Sequence, residues 1–175
     1  MQHAKRVRCS QCNKICLEKR AFVVDKAPVC HRCLFGDTQP VEIYPIGVVR
    51  NSQERDATEF GLRNHAGRSR IELFPSQKRF MHKLEEEECV TIVYYLHKAR
   101  PIRSTFKRGL DGKEVGVFAS RTPDRLSRIG IQDVRLLRIE GTTLVVEDLD
   151  AINGTPVLDI KMCKHREKHA SRRNA

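Results

Sequence analysis

The feature that most constrains this chain is a pair of CxxC motifs near its start, Cys9 with Cys12 and Cys30 with Cys33, separated by seventeen residues. Each motif places two thiolates on one tight turn, and the residues between them are long enough for a hairpin that brings the second turn opposite the first. The apolar run at residues 21–24 supplies strand-like material for that hairpin. The spacing therefore predicts a zinc ribbon over residues 1–36, with these four cysteines as the ligands of a structural Zn²⁺.

Two other uses of these cysteines are disulfide bonding and thiol redox chemistry. A cytosolic chain does not normally form disulfides here, and a thioredoxin-type pair needs its CxxC between a strand and a helix. Since four cysteines fill all four ligand positions, we expect a closed, non-catalytic site with Cys16 and His31 as spare ligands nearby. Of the remaining cysteines, we expect Cys89 to be a small core residue and Cys163 a peripheral thiol.

A second domain follows a turn-forming linker at residues 35–40. Its apolar residues alternate or form short runs, which predicts strands over residues 43–49, 71–74, 90–97, 115–119, 129–139, 143–146 and 157–160. One helix is predicted over residues 76–87, where Phe80, Met81 and Leu84 form the apolar stripe, and Gly141 marks a hairpin. The pattern favours a mainly β fold, a closed or nearly closed barrel of about seven strands with one helix, over residues 41–162. A basic tail follows over residues 163–175.

The formal net charge of +11 lies in the two ends of this 175-residue chain. Residues 1–35 carry eight Lys and Arg against two acidic residues, and residues 161–175 carry six against one, whereas residues 36–160 carry nineteen of each. Basic ends on a neutral body indicate contact with phosphate groups of a nucleic acid. The alternative is that the ends only solvate the protein.

Several classes of protein are excluded by length and hydropathy. No apolar run approaches the roughly 20 residues of a membrane helix, and the N-terminal residues contain no signal-peptide core. The chain is also too short for a Rossmann enzyme with a substrate domain. We therefore expect a cytoplasmic protein without a membrane partner.

Three motifs in the second domain carry a family resemblance. They are YPIGVVRN at residues 44–51, GVFASRTPDR at residues 116–125 and LDAINGTPVLDIK at residues 149–161. Together with the pair Ile129 and Gly130 and the VRLL run at residues 134–137, they resemble in order and spacing the TsaA-like domain of the TrmO family, over about residues 42–162. The resemblance implies a tRNA methyltransferase that binds S-adenosylmethionine on a β-barrel and forms homodimers.

The resemblance also implies where the cofactor is contacted. The family's cofactor-contacting positions correspond to Leu62, Arg63, Asn64, His97, Lys98, Arg121, Ile131, Asn153, Gly154, Thr155 and Pro156. The backbone of a Gly turn can approach a ligand closely, Arg can clamp a carboxylate with two hydrogen bonds, and Ile can cover adenine. The implied reaction is N6-methylation of threonylcarbamoyladenosine beside the anticodon, and the motifs identify no general base.

An RNA substrate makes exposed basic residues candidate phosphate contacts. Those we predict are Arg6, Arg8, Lys19, Arg20, Arg125, Arg128, Lys164, Arg166 and Lys168. The pocket departs from the family pattern, because the loop before Ile129 lacks two prolines and an Asn, and Asn153 replaces an Asp that would favour a cationic ligand. Two alternatives therefore stay open: a non-catalytic RNA-binding or cofactor-sensing protein on a diverged barrel, and a methyltransferase with another substrate.

Overall fold

The computed structural model describes residues 5–52, 67–98, 101–109 and 111–163. The chain divides into two compact units. The first comprises residues 1–42 and 98–128 and contains both CxxC motifs, and the second comprises residues 43–97 and 129–175.

The first unit begins with two small antiparallel hairpins. Strands β1 (Arg6–Arg8) and β2 (Ile15–Leu17) form one, and a single turn of 3-10 helix at Glu18–Arg20 leads into the other, β3 (Ala21–Val24) with β4 (Ala27–Cys30). The short helix α1 (His31–Phe35) follows directly, and Gly36 with a φ of 65° ends it. The predicted strand at residues 21–24 is therefore confirmed as β3.

Six strands of the second unit close into an antiparallel barrel. They are β5 (Gly47–Arg50), β6 (Arg68–Leu73), β7 (Cys89–Tyr95), β10 (Ile129–Glu140), β11 (Thr143–Glu147) and β12 (Pro156–Met162). Their order around the barrel is β10, β11, β6, β5, β12 and β7, and β7 pairs back with β10. The mainly β fold and the closed barrel are confirmed, with six barrel strands in place of about seven.

Alternation along the strands fills the barrel interior with apolar side chains. The fully buried residues include Val49, Ile71, Ile92, Leu144 and Val157. The hairpin predicted around Gly141 is the β10–β11 connection, and Gly141 adopts the left-handed φ of 65° that such a turn requires. None of the helices among the described residues has the length and apolar character needed to cross a membrane.

The predicted helix over residues 76–87 is wrong in type. The segment forms two short 3-10 helices, Pro75–Phe80 and Leu84–Glu86. Lys83 between them adopts a left-handed φ of 61°, which no α-helix accommodates. Met81 and Leu84 still pack on the barrel core, whereas Phe80 points to solvent.

The predicted strand over residues 115–119 lies outside the barrel. Only its first part is a strand, β9 (Glu114–Gly116), which pairs with β8 (Thr105–Lys107) in a separate two-stranded sheet. Its second part, Val117–Ala119, is a 3-10 turn. In the compact units, residues 98–128 group with the N-terminal residues.

Cys89 and Cys163 form a disulfide bond, so the expectation of one core cysteine and one peripheral thiol is wrong. The pairing of β12 with β7 ends at Met162 opposite Val90, so that the next residues along, Cys163 and Cys89, face each other across the ladder. Their Cα atoms lie 5.7 Å apart, within the usual range for a disulfide. The bond attaches the end of β12 to the start of β7.

Candidate metal centre and cofactor site

The four predicted metal ligands come together in the first unit. Their sulfur atoms all lie within 4.8 Å of one another, with 3.8 Å between Cys9 and Cys33 and 3.8 Å between Cys12 and Cys30. Four thiolates at about 2.3 Å from a tetrahedral Zn²⁺ lie about 3.8 Å apart. The turn after β1 supplies one pair, and the junction of β4 with α1 supplies the other, so this cluster has the size of a tetrahedral thiolate site.

The backbone favours thiolate chemistry at this cluster. Hydrogen bonds from the backbone N–H groups of Cys12 and Cys30 lower the pKa of Cys9 to about 6, and the Cys30 N–H lies 3.3 Å from the Cys9 sulfur. Hydrogen bonds with Cys30 and Cys12 raise the pKa of the Cys33 thiol to about 12. A divalent cation at this cluster would favour the ionised form of all four thiols.

The two spare ligands lie outside the cluster. Burial raises the pKa of the Cys16 thiol, and no grouping within the described residues includes it with the four cysteines. The His31 ring packs instead against Phe35, with 5.1 Å between ring centroids. The described ligand set is therefore the four cysteines alone.

The second unit brings together two of the predicted cofactor segments, His97 and the turn at residues 153–156. The Thr155 hydroxyl lies 3.4 Å from Nδ1 of His97, and Thr155 is almost fully buried. Gly154 has a φ of 80°, and a Cβ atom built on it would meet only Nε2 of His97, at 4.0 Å. The missing side chain leaves space over the turn beside the half-buried imidazole, which is the kind of cradle a ligand can fill.

Hydrogen bonds hold the turn against β5. The Gly154 N–H donates to the Val49 carbonyl at 2.8 Å, and the Val49 N–H donates to the Thr155 carbonyl at 2.9 Å. The Asn51 amide donates to Ser69 Oγ at 3.0 Å and to the Ala151 carbonyl at 2.8 Å. Neither Asn51 nor the buried Ser69 was singled out as a site residue, although a buried Ser at an inward strand position is a signal that a polar partner is present.

Asn153 helps to hold the turn, a role that its difference from the family motif did not indicate. Its side-chain oxygen accepts a hydrogen bond from the Asn51 N–H at 3.4 Å. An Asp at this position would offer the same acceptor, so replacing it with Asn preserves the turn while removing a charge. The change therefore alters the electrostatics of the site more than its shape.

The remaining predicted cofactor residues belong to β10, to the first unit or to the part of the chain that the structure does not describe. Ile131 sits on β10 opposite Val93, and about half of its surface is exposed. Lys98 and Arg121 are exposed residues of the first unit. Leu62, Arg63 and Asn64 lie outside the described residues.

The basic residues predicted to contact RNA differ in exposure and in the hydrogen bonds that their side chains form. Arg6, Lys19 and Arg20 are exposed, and Arg8 is exposed with one bond to the Asn13 carbonyl at 2.9 Å. Arg125 donates to the carbonyl oxygens of three residues in its own loop, Val117, Ser120 and Thr122. Its guanidinium therefore holds the loop that carries Arg121, a role the prediction of an RNA contact did not include.

Arg128 is half-buried and has a left-handed φ of 52°. The three predicted contacts in the tail, Lys164, Arg166 and Lys168, lie outside the described residues.

The packing around Gly130 gives a physical reason for the glycine of the Ile-Gly pair. It lies opposite Tyr94 in the β10–β7 register, and the Tyr94 ring occupies the space where a side chain at position 130 would stand. The Tyr94 hydroxyl donates to the Asp150 carbonyl at 3.2 Å. A glycine is therefore required for packing here, whatever ligand the barrel binds.

The chain matches the tRNA-methyltransferase O N-terminal domain family over residues 52–165. That match covers more than half of the chain and includes the turn at residues 153–156 and His97. The chain belongs to the TrmO family. The cysteine cluster lies outside the residues of this TrmO domain match, so it is an addition to the matched region.

Known proteins resemble this TrmO family member over between half and four fifths of its length. A probable S-adenosyl-L-methionine-binding protein of Archaeoglobus fulgidus is 34% identical over 126 residues, 69% of this chain and 33% of that protein. The human tRNA (adenine(37)-N6)-methyltransferase is 34% identical over 97 residues, 54% of this chain and 22% of that protein. The crystal structure of TrmO from Pseudomonas aeruginosa has a TM-score of 0.57 at 29% identity, covering 78% of this chain and 62% of that one. The chain therefore spans between about a fifth and two thirds of these relatives.

Proposed function

We propose that this chain is an S-adenosylmethionine-dependent methyltransferase that acts on tRNA at N6 of adenosine 37, with threonylcarbamoyladenosine as the preferred form. One observation carries the proposal: His97 and the open Gly154 turn are brought together on the barrel of a TrmO family member. The names of the relatives, S-adenosyl-L-methionine-binding protein and tRNA (adenine(37)-N6)-methyltransferase, support the cofactor and the substrate class.

The residues fit a bound sulfonium nucleoside through shape and main-chain polarity. When bound, S-adenosylmethionine would supply a methyl group activated by its sulfonium, which N6 of the base would accept as the sulfur–methyl bond breaks, with S-adenosylhomocysteine as the leaving group and the N6 proton passing to solvent. The turn at residues 153–156 contributes a surface without a side chain at Gly154, and the buried Thr155 hydroxyl orients His97. Orientation of this kind can lower a displacement barrier by roughly 7 to 11 kcal/mol, so the site needs no strong general base.

The proposal also assigns the remaining cofactor contacts and the assembly. By family resemblance, we propose that Ile131 covers the adenine of the cofactor, and that Arg121, Lys98, Leu62, Arg63 and Asn64 are further cofactor contacts. The family resemblance supports a homodimer, which sedimentation equilibrium would test directly. We also propose that the protein is cytoplasmic, which agrees with a role in tRNA modification.

Calorimetric titration with S-adenosylmethionine and with S-adenosylhomocysteine tests the cofactor site. We expect saturable one-site binding that is lost in Arg121→Ala and in His97→Ala. Arg79→Ala is the matched control, because Arg79 is an exposed arginine of the barrel unit with no assigned role. The absence of binding at millimolar ligand would overturn the methyltransferase proposal and favour the alternative of a non-catalytic RNA-binding protein.

We further propose that the four-cysteine cluster binds structural zinc. Elemental analysis should find one zinc per chain, and Cys12→Ser should lose it. Since the ribbon has little core of its own, a chelator should abolish the ordered signals of residues 5–36 while the barrel stays folded. A chain that is fully folded and free of metal after purification with excess zinc would contradict this assignment.

A further inference from the structure

The compact units redistribute the charge of the chain. The first unit, residues 1–42 and 98–128, contains seventeen Lys and Arg residues and seven Asp and Glu residues, a formal charge of +10. The second unit contains sixteen and fifteen, a charge of +1. Along the sequence the charge divided between the two ends, whereas in the folded protein almost all of it belongs to one unit.

The two units also differ in how their charges are paired. On the barrel, most exposed basic side chains of the strands are neutralised in ion pairs, which are Arg50 with Glu72, Arg70 and Arg138 with Glu140, Arg135 with Glu147, and Lys161 with Asp159. Within the described part of the first unit, ten exposed basic residues form no ion pair with an acidic side chain: Arg6, Arg8, Lys14, Lys19, Arg20, Lys26, Lys98, Lys107, Lys113 and Arg121. Unpaired cations attract a polyanion far more strongly than neutralised ones.

Most of these unpaired residues lie on two arms of the first unit. The ribbon arm, residues 5–36, carries six of them, and the hairpin arm, formed by β8 and β9 with the turn between them, carries Lys107 and Lys113. The loop that follows β9 carries Arg121, together with Phe118, which is 82% exposed. An exposed aromatic ring among cations is a surface on which an unpaired base can stack.

The turn between β3 and β4 joins the two arms. Its residues Asp25 and Lys26 both have positive φ, of 49° and 67°, which directs the Asp25 side chain and backbone toward the residues before β8. Val24 forms a parallel bridge with Ile102, and the Asp25 N–H donates to the Ile102 carbonyl at 3.0 Å.

The Asp25 carboxylate completes this connection. It accepts two hydrogen bonds from Ser104, from the backbone N–H at 2.9 Å and from the hydroxyl at 2.6 Å. The Ser104 carbonyl in turn accepts the Val117 N–H at 3.1 Å, at the start of the loop that carries Arg121. One carboxylate therefore connects the ribbon arm to both the hairpin arm and the Arg121 loop.

We propose that the ribbon and the β8–β9 hairpin bind the RNA phosphate backbone as one two-armed module, in which Asp25 is the positioning residue that holds the arms together. The inference rests on the proposed function for its choice of RNA as the polyanion. When the arms are already connected, binding of the first arm positions the second, so less conformational entropy is lost on binding both sets of phosphates. The barrel then contributes the cofactor site and few of the phosphate contacts.

Fluorescence anisotropy with a labelled tRNA transcript, measured over a series of salt concentrations, tests the two arms. Lys107→Ala with Lys113→Ala, and separately Lys14→Ala with Lys19→Ala, should each lower the slope of log affinity against log salt by about 1.4 to 1.8 and weaken binding on the order of ten-fold at moderate salt. The barrel pair Arg68→Ala with Arg79→Ala removes the same charge and should change neither value appreciably. An equal loss in the barrel pair, or no loss in either arm, would overturn the proposal.

The positioning role of Asp25 is tested by two substitutions. Asp25→Gly keeps the left-handed turn, removes the carboxylate and raises the net charge by one, so that charge alone would strengthen RNA binding. The positioning role predicts the opposite result, a several-fold loss of RNA affinity with an unchanged salt slope. Asp25→Asn should retain most of the wild-type affinity, because its amide oxygen still accepts the Ser104 N–H. Equal or tighter RNA binding by Asp25→Gly would overturn the positioning role.

Separate readouts distinguish this inference from the proposed function. RNA binding that needs both arms, in a chain that neither binds S-adenosylmethionine nor transfers methyl groups, would support the module and refute the enzyme. Methyl transfer with an unchanged KM for tRNA in both arm variants would refute the module and leave the enzyme. Binding to phosphatidylserine vesicles in place of RNA would refute the module as stated.

Discussion

A single added methyl group at Gly130 tests the packing of the barrel beside the candidate site. A Cβ atom built at this position would lie 2.5 Å from Cζ of Tyr94, closer than any real contact. The Tyr94 ring is only 6% exposed, and its hydroxyl is engaged with the Asp150 carbonyl, so the ring has little freedom to move away. Gly130→Ala must therefore displace the ring and break this hydrogen bond.

The free-energy costs of displacing the ring and of breaking the hydrogen bond can be added. Overpacking a well-filled core costs about 1–3 kcal/mol, and loss of a hydrogen bond adds about 0.5–1.5 kcal/mol. We expect Gly130→Ala to lower the free energy of unfolding by about 2–4 kcal/mol, which lowers the Tm of a chain of this size by about 5–15 °C. Thermal unfolding followed by circular dichroism measures this shift.

Gly116→Ala is the matched control. A Cβ atom there would meet only the Ser104 carbonyl oxygen, at 3.8 Å, and the backbone φ of -66° suits any residue. Combining Gly130→Ala with Tyr94→Leu should cost less than the sum of the two single changes, since the smaller side chain makes room for the methyl group. An unchanged Tm for Gly130→Ala, or strictly additive single changes, would refute the argument.

Three further predictions concern the cofactor turn, the disulfide and one ion-pair cluster. Thr155→Val keeps the shape of the turn but removes the hydroxyl beside His97, so calorimetry should show S-adenosylmethionine affinity reduced about five-fold; equal affinity would mean that the hydroxyl does not orient His97. Cys89→Ser with Cys163→Ser opens a loop with a sequence separation of 74 residues and should lower the free energy of unfolding in urea by up to about 4 kcal/mol; a loss near zero would contradict the bond. Arg138, and after it Arg70, lower the pKa of Glu140, so its contribution to stability is present above the ordinary Glu pKa and is lost as the pH falls through the lowered value. The Tm difference between the wild type and Glu140→Gln should therefore be constant near neutral pH and shrink below about pH 4, and a difference independent of pH would argue against these pairs.

Local patterns predicted the parts of the fold that local chemistry determines. The two CxxC motifs predicted a cluster of four thiols because each motif alone forces two sulfurs onto one turn. Alternating apolar residues predicted the barrel strands, and Gly141 predicted the β10–β11 hairpin. The predicted helix was wrong because the segment forms two short 3-10 helices, which are separated by the left-handed backbone at Lys83.

Local sequence patterns could not predict features that depend on the pairing of residues far apart in the chain. The Cys89–Cys163 bond follows from the β7–β12 register, which joins residues 74 positions apart. The hydrogen bonds that Asp25 accepts from Ser104 link residues 79 positions apart. They contribute to the grouping of residues 98–128 with the ribbon. At the site, the motifs predicted His97 and the Gly154 turn, whereas the supporting contact of Asn51 with Asn153 depends on how β5 meets the turn.

The most direct test of the central claim is methyl transfer itself. Zinc-loaded protein is incubated with isotopically labelled S-adenosylmethionine and tRNA that carries threonylcarbamoyladenosine, and the digested nucleosides are analysed by mass spectrometry. The account predicts one labelled methyl group on N6 of adenosine 37, absent in His97→Ala and retained in Arg79→Ala. Label on another nucleoside, or none on RNA under conditions in which the protein binds S-adenosylmethionine, would contradict it.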